Sequence, residues 1–123
     1  MDDPIFAAIA AYEKAAAAFT AQCEYEDWLK EKGIKLPCAA DDHRTPEMVT
    51  LVNASIAARV ALAKTVPTTM AGLLALTGFL RQQTTEAVPS FFEGEENLAF
   101  VATLDTAVQA LGGVAASAKA GGR

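Results

Sequence analysis

Residues that bind metals or activate nucleophiles are scarce in this sequence. Its 123 residues include one histidine, His43, and two cysteines, Cys23 and Cys38. A closed zinc site requires four ligands at recurrent spacing, and two thiols without C-x-x-C spacing form neither a disulfide framework nor a redox motif. Any serine or cysteine nucleophile would have to use His43 as its imidazole base. We therefore predict no metal site, no cofactor and no catalytic residue, and expect a protein that is not an enzyme.

An excess of positive charge and long apolar runs are also missing. Ten Lys and Arg face fifteen Asp and Glu, for a formal net charge of −5, which is the wrong sign for neutralising phosphates. No charge-free run approaches the roughly 20 residues that span a bilayer. The chain opens Met1-Asp2-Asp3-Pro4, acidic where a secretory signal is basic. We expect a cytoplasmic protein that binds neither nucleic acid nor membrane.

Apolar side chains are abundant instead, and they recur at helical spacing. Hydrophobic residues make up 52% of the chain and charged residues 20%, which excludes disorder as the main state. A chain of this size is typical of one domain and can build a core without disulfides or metal. The pattern predicts an all-α protein, an antiparallel helical bundle of about four helices with a long N-terminal helix. We expect a single helical domain over residues 1–113 and a flexible tail over 114–123.

The first helix is predicted to be long. Asp3 suits its N-cap, Pro4 its first position and Gly33 a left-handed C-cap. Its apolar seam is formed by Ile5, Ile9, Tyr12, Ala16, Phe19 and Cys23. Such a helix reaches roughly 43 Å, against about 26 to 29 Å for the second and third helices. We favour a second copy of the chain as the cover for the excess length.

Threonine and proline mark where the next two helices begin. Thr45 suits the N-cap and Pro46 the first position of the second helix. Pro67 interrupts the helical pattern, as either a turn or a kink, because it lacks a backbone donor. Thr68 or Thr69 can then cap the third helix.

Apolar stripes predict which face of each later helix is buried. The second helix carries two stripes, namely Val49, Val52, Ile56, Val60 and Ala63, and Met48, Leu51, Ala58 and Leu62. The third helix carries Met70, Leu73, Thr77 and Leu80, widened by Leu74 and Leu76. The fourth helix carries Leu98, Val101, Leu104, Val108 and Leu111, and is predicted to end at Gly112-Gly113.

One segment carries a resemblance to known proteins. Thr65-Val66-Pro67-Thr68-Thr69-Met70-Ala71-Gly72-Leu73 follows a first helix that contains Trp28. It resembles a segment of small, uncharacterised bacterial all-helical proteins that share the pattern Thr-x-Pro-x-Thr-x-Ala-Gly. The resemblance implies a helical fold and a bacterial source, and it implies no activity. A threonine-proline helix start followed by a glycine at a helix crossing explains the same residues.

A pair of phenylalanines lies in the long connection predicted before the fourth helix. Phe91 and Phe92 follow Pro89-Ser90, and they either plug the open end of the bundle or anchor a partner. Ser90 and Glu93 also have capping-box spacing, so the fourth helix could begin at Phe91.

Two classes of function are compatible with this sequence. The favoured class is an oligomeric interaction or assembly module, a homo-oligomer with the dimer favoured, or one that binds another protein. Its predicted interface residues are Ile5, Ile9, Tyr12, Ala16, Phe19, Phe91 and Phe92. The alternative is a small-ligand-binding protein or enzyme with a pocket between helices. Its chemically distinctive residues are Tyr12, Trp28, Cys38 and His43.

Overall fold

Four α-helices make up the part of the chain that the structure describes. The computed structural model describes residues 2–36, 44–85 and 91–121, with backbone alone beyond residue 112. The helices are α1 (Pro4–Glu31), α2 (Pro46–Lys64), α3 (Met70–Gln83) and α4 (Glu95–Gly121), and these ranges contain no strand. The predicted all-α fold with a long N-terminal helix is confirmed. Pro67 lies in the connection between α2 and α3, so it marks a turn rather than a kink.

Both ends of α1 form as their local sequence predicts. The backbone N–H of Ile5 donates to Asp3 Oδ1 at 3.1 Å, which makes Asp3 the N-cap. Gly33 has a φ of 76°, a left-handed conformation that glycine adopts without a Cβ penalty. The N–H of Ile34 then bonds back to the carbonyl of Leu29 at 3.0 Å. This is the Schellman arrangement, which satisfies carbonyls that have no partner within the helix.

Helix α4 is longer than predicted. It continues to Gly121, so the prediction that it ends at Gly112-Gly113 is wrong. A glycine in a helix costs only about 1 kcal/mol relative to alanine, and the alanine-rich residues that follow are good helix formers. Because α4 has 27 residues and α1 has 28, α1 is not unusual in length. The helix lengths therefore give no reason for a second copy of the chain, and the flexibility of residues 114–123 stays a prediction.

The chain divides into two compact units. The first unit contains Met1–Ala10 and Val60–Arg123, and the second contains Ala11–Arg59. Helices α1 and α2 each contribute residues to both units, so the single domain over residues 1–113 stays a prediction.

The apolar core lies in the first unit. Its buried hydrophobic residues are Ile5, Ile9, Leu62, Ala63, Leu76, Phe79, Phe92 and Ala107. Phe91 packs on Phe79 and on Phe92, with ring centroids 5.5 and 5.0 Å apart, and Phe92 packs on Phe100 at 4.7 Å. Phe91 and Phe92 therefore pack at the core of the first unit, which agrees with the predicted alternative that they plug the bundle. They precede α4, which begins at Glu95 and not at Phe91.

The second unit pairs the later part of α1 with the first part of α2 through polar side chains. Thr45 Oγ1 donates to Glu26 Oε2 at 2.7 Å and accepts from the N–H of Met48 at 3.1 Å, so Thr45 caps α2 as predicted. Gln22 Nε2 donates to the same Glu26 oxygen at 2.8 Å. Within the described part of this unit only Glu26 and Thr45 are fully buried. The seam residues there are half-buried, namely Tyr12, Ala16, Phe19 and Cys23.

A buried carboxylate joins the starts of α1 and α3 within the first unit. Asp3 is 4% exposed. Its Oδ2 accepts the backbone N–H groups of Thr68 and Thr69, both at 2.9 Å, and Thr69 Oγ1 at 2.8 Å. Burial by itself raises the pKa of Asp3, but its hydrogen bonds to Ile5, Thr69 and Thr68 favour the charged form and together lower the pKa below its ordinary value. Thr69 Oγ1 also accepts from the N–H of Gly72 at 3.0 Å, so Thr69 caps α3.

The same junction sets the rotation of α3. A Cβ atom at Gly72 would collide with Asp3 Oδ2 and would lie 2.9 Å from Ile5 Cγ2. Glycine therefore allows this side of α3 to lie directly against the start of α1. The buried residues of α3 are Gly72, Leu76 and Phe79. The predicted stripe of α3 is wrong for Met70, Leu74 and Thr77, which are exposed. The predicted stripe of α2 is wrong for Ile56, which is 40% exposed.

Candidate interaction surface

Helix α4 turns large apolar side chains away from the core. Leu98 is 74% exposed, Val101 63% and Val108 50%. The residues of α4 that are buried are smaller, Thr103 and Ala107. The predicted buried stripe is thus wrong for these three large residues. Small side chains on the inner face let α4 approach the core closely, which leaves the larger ones outside. We call Leu98, Val101 and Val108 the α4 ridge.

An apolar groove runs between α3 and α4 inside the first unit. It has a volume of about 480 Å³ and is lined by Leu80, Phe100 and Leu104 together with Thr77, Arg81 and Thr84. The three apolar residues are half-buried, whereas the other three are exposed. We call this feature the α3–α4 groove. It has an apolar floor with polar side chains around it, an arrangement common in binding sites.

The ridge and the groove form one continuous surface. Leu104, on the groove, follows Val101 by three residues and precedes Val108 by four. Residues three and four apart are neighbours on a helix surface. The apolar floor of the groove therefore extends onto the ridge, and we call the combined surface the α3–α4 face.

Charge is nearly absent from this face. Arg81 is the only charged residue of α3, and Asp105 is the only one of α4 between residues 97 and 112. Asp105 lies between Val101 and Val108 along the ridge, where its two carboxylate oxygens accept from Gln109 Nε2 at 3.1 and 3.0 Å. Depletion of charged residues distinguishes the centre of a protein interface from the rest of a surface. The α3–α4 face has this property in a chain whose net charge is −5.

Two other cavities are lined mainly by charged residues. One, of about 430 Å³, is lined by Lys64, Glu95 and Glu96 among others. Glutamates at the start of α4 stabilise the positive end of its dipole. The second, of about 270 Å³, is lined by Cys23 and Lys30 among others. Within the described ranges no group of three or more His, Cys, Asp or Glu residues could hold a metal ion.

The structure corrects part of the predicted interface. Ile5, Ile9 and Phe92 are 0%, 9% and 3% exposed, because they belong to the core of the first unit. A partner cannot contact them in this conformation. The other predicted interface residues are half-buried, namely Tyr12, Ala16, Phe19 and Phe91. For these four the interface stays a prediction.

Of the residues singled out for a ligand pocket, the structure describes Tyr12 and Trp28. Trp28 is 51% exposed and stacks on Tyr25 with ring centroids 6.4 Å apart. Lys32 Nζ lies 5.8 Å from the centre of the Trp28 ring, within the range of a cation–π contact. Neither Trp28 nor Tyr12 lines the cavities described above. Cys38 and His43 lie outside the described residues.

The distribution of apolar residues in the α4 sequence indicates that some of them face outward, although the predicted stripe places them in the core. Between Leu98 and Leu111, apolar residues occur on every side of α4. A helix that is apolar all round must be covered on more than one side. The core of the first unit covers only one of these sides.

Comparison with known proteins leaves the family of this chain open. Protein-family models, curated protein sequences and solved structures give no match to it. The resemblance of the Thr65–Leu73 segment to bacterial helical proteins therefore stays a prediction. In the described part of the chain, no helix combines the length and the apolar character needed to cross a membrane.

Proposed function

We propose that this protein is a non-enzymatic interaction module that self-associates through its α3–α4 face, with the dimer as its basic assembly. The observation that carries the proposal is the α4 ridge, whose three large apolar residues are at least half exposed. Soluble monomers rarely expose extended apolar patches, and such patches commonly mark interaction sites. A symmetric dimer is the commonest oligomer among soluble proteins.

The energetic gain from covering the ridge supports this proposal. Fully burying an exposed leucine or valine side chain contributes about 1.5–3 kcal/mol. Three ridge residues and the adjoining groove residues therefore provide several such contributions. They oppose the loss of translational and rotational freedom on association, about 4–15 kcal/mol. Because only two charged residues lie on this face among the residues that the structure describes, little charge has to be desolvated there.

The test compares two lysine substitutions of exposed β-branched residues. Val101→Lys places a charge at the centre of the ridge, whereas Ile56→Lys places one on the part of α2 that belongs to the second unit. Val101 is 63% and Ile56 40% exposed, so both variants should fold with unchanged far-UV circular dichroism. Light scattering after size-exclusion chromatography at micromolar concentration measures their masses.

We expect the wild type and Ile56→Lys to have twice the mass of one chain, and Val101→Lys to have the mass of one chain. A monomeric wild type would overturn the proposal. A Val101→Lys variant that remains dimeric would show that the chains associate through another surface, which also contradicts it.

A further inference from the structure

The α3–α4 face carries a ridge and a groove side by side. Its ridge projects from α4, and its groove lies directly beside that ridge between α4 and α3. In a two-fold symmetric dimer the same patch is used by both copies. Helices also pack by placing the ridge of one into the groove of another. A surface that carries both features side by side can engage a second copy twice, once in each direction.

The two charges on this face have opposite signs and lie on opposite features. Arg81 lines the groove, and Asp105 lies along the ridge between Val101 and Val108. When a ridge enters the groove of another copy, it brings a carboxylate toward a guanidinium. Arginine suits this contact because its planar group binds carboxylate oxygens in pairs. The placement of one cation and one anion is therefore complementary for self-association.

We infer that, given the proposed self-association, the α4 ridge of each copy lies in the α3–α4 groove of the other, and that Asp105 of each copy pairs with Arg81 of its partner. Because the dimer has a two-fold axis, this ion pair forms twice. The contact with Gln109, at 3.1 and 3.0 Å, holds the Asp105 carboxylate along the outer face of α4 before association.

The second copy is the occupant that the charges favour. An acidic partner helix would be attracted by Arg81 but would be repelled by Asp105 on the adjacent ridge. A basic partner would be attracted by Asp105 and repelled by Arg81. A second copy, turned by the two-fold axis, satisfies both charges with one type of contact.

Charge reversal tests this pairing, because it changes the sign of the electrostatic interaction between the two residues while both side chains stay exposed. Arg81→Asp and Asp105→Arg each place like charges opposite one another at both symmetric positions. The double variant restores opposite charges with their positions exchanged. The dissociation constant of the dimer is measured by sedimentation equilibrium at low and at high salt. We expect each single variant to raise the dissociation constant at least about tenfold at low salt and the double variant to return it close to the wild-type value. High salt should reduce these differences through screening.

Two matched controls place the same charges beside the proposed contact. Gln82→Asp lies one residue from Arg81, and Thr106→Arg lies one residue from Asp105. Both positions are exposed, and a step of one residue turns a side chain by about 100° around a helix. The controls should leave the dissociation constant unchanged.

The proposed function and this inference fail in different ways. If Val101→Lys abolishes the dimer while both single reversals leave the dissociation constant unchanged, self-association stands and the Arg81–Asp105 pairing is overturned. If the single reversals weaken the dimer but the double variant does not recover, the pairing is overturned as well. A monomeric wild type would overturn the proposed function and the inference together.

Discussion

Glycine-to-alanine substitution at two positions of α3 should change stability in opposite directions. Gly72 and Gly78 lie in the same helix, six residues apart. A Cβ at Gly78 meets nothing within 4 Å, whereas a Cβ at Gly72 would collide with Asp3 Oδ2 and lie 2.6 Å from Asp3 Cγ. Gly78→Ala therefore adds helix propensity alone. Gly72→Ala must displace the carboxylate that joins the starts of α1 and α3.

The magnitudes follow from the contacts at each site. Alanine is favoured over glycine in a helix by at most about 1 kcal/mol, so Gly78→Ala should stabilise the protein by up to that amount. At Gly72 the same gain is opposed by overpacking, about 1–3 kcal/mol. It is also opposed by the loss of at least one charge-assisted hydrogen bond of Asp3, about 1.5–3 kcal/mol. We expect Gly72→Ala to lower the free energy of unfolding by about 3 kcal/mol.

Urea unfolding followed by far-UV circular dichroism measures both variants. All samples need the same protein concentration, since self-association adds to apparent stability by mass action. Asp3→Ala provides a further check, because it removes the carboxylate, the nearer of the two groups that the new methyl group would meet, and leaves the contact with Ile5 Cγ2. Gly72→Ala should cost much less stability in that background. If Gly72→Ala is as stable as Gly78→Ala, the close contact between Asp3 and α3 does not exist in solution.

Further predictions concern buried side chains. Asp3→Asn should lower the free energy of unfolding by about 2–3 kcal/mol near neutral pH, measured by urea titration, whereas Asp2→Asn, at an exposed position, should change it by less than about 0.5 kcal/mol. The pKa of Asp3 in the folded state lies below its ordinary value of 3.8. The difference in the free energy of unfolding between wild type and Asp3→Asn should therefore persist above pH 3.8 and be lost as the pH falls through the folded-state pKa. A difference in this free energy that grows in acid would refute the prediction. Glu26→Ala should cost about 1–3 kcal/mol in the same assay because it leaves the buried Thr45 hydroxyl and the half-buried Gln22 amide without their acceptor, and exposed Glu24→Ala should cost little; equal effects would contradict the burial of Glu26. Phe92→Ala should cost about 3–5 kcal/mol in a thermal or urea transition, and a loss below about 1 kcal/mol would show that its ring is not part of the core.

Helix starts and ends could be predicted because their signals are local. Asp3 caps α1, Thr45 caps α2 and Thr69 caps α3, each at a position that the sequence marks with a short polar side chain. Gly33 ends α1 for a similar reason. These contacts form within a few residues of chain. They do not depend on what the helix packs against.

The rotation of the helices could not be predicted from apolar spacing. In α4, Leu98, Val101 and Val108 follow the spacing of a buried stripe as well as Thr103 and Ala107 do, and the structure buries the smaller residues. Hydrophobicity by itself favours burial of the larger side chains. Close approach of the helices favours the smaller ones, and that approach exists only in the folded chain. The same reasoning from spacing predicts Ile5 and Ile9 as interface residues, although the core buries them.

The amino-acid sequence by itself determined an all-helical chain and marked three of its helix starts. It also led us to expect no catalytic residues and no metal site. Only the tertiary structure decided which apolar residues face outward. Asp3 reaches across 65 residues of sequence to Thr68, and this contact, together with Gly72, sets which side of α3 is buried. Contacts between distant segments leave no periodic trace in either segment. The α3–α4 face therefore became visible only when the chain was folded.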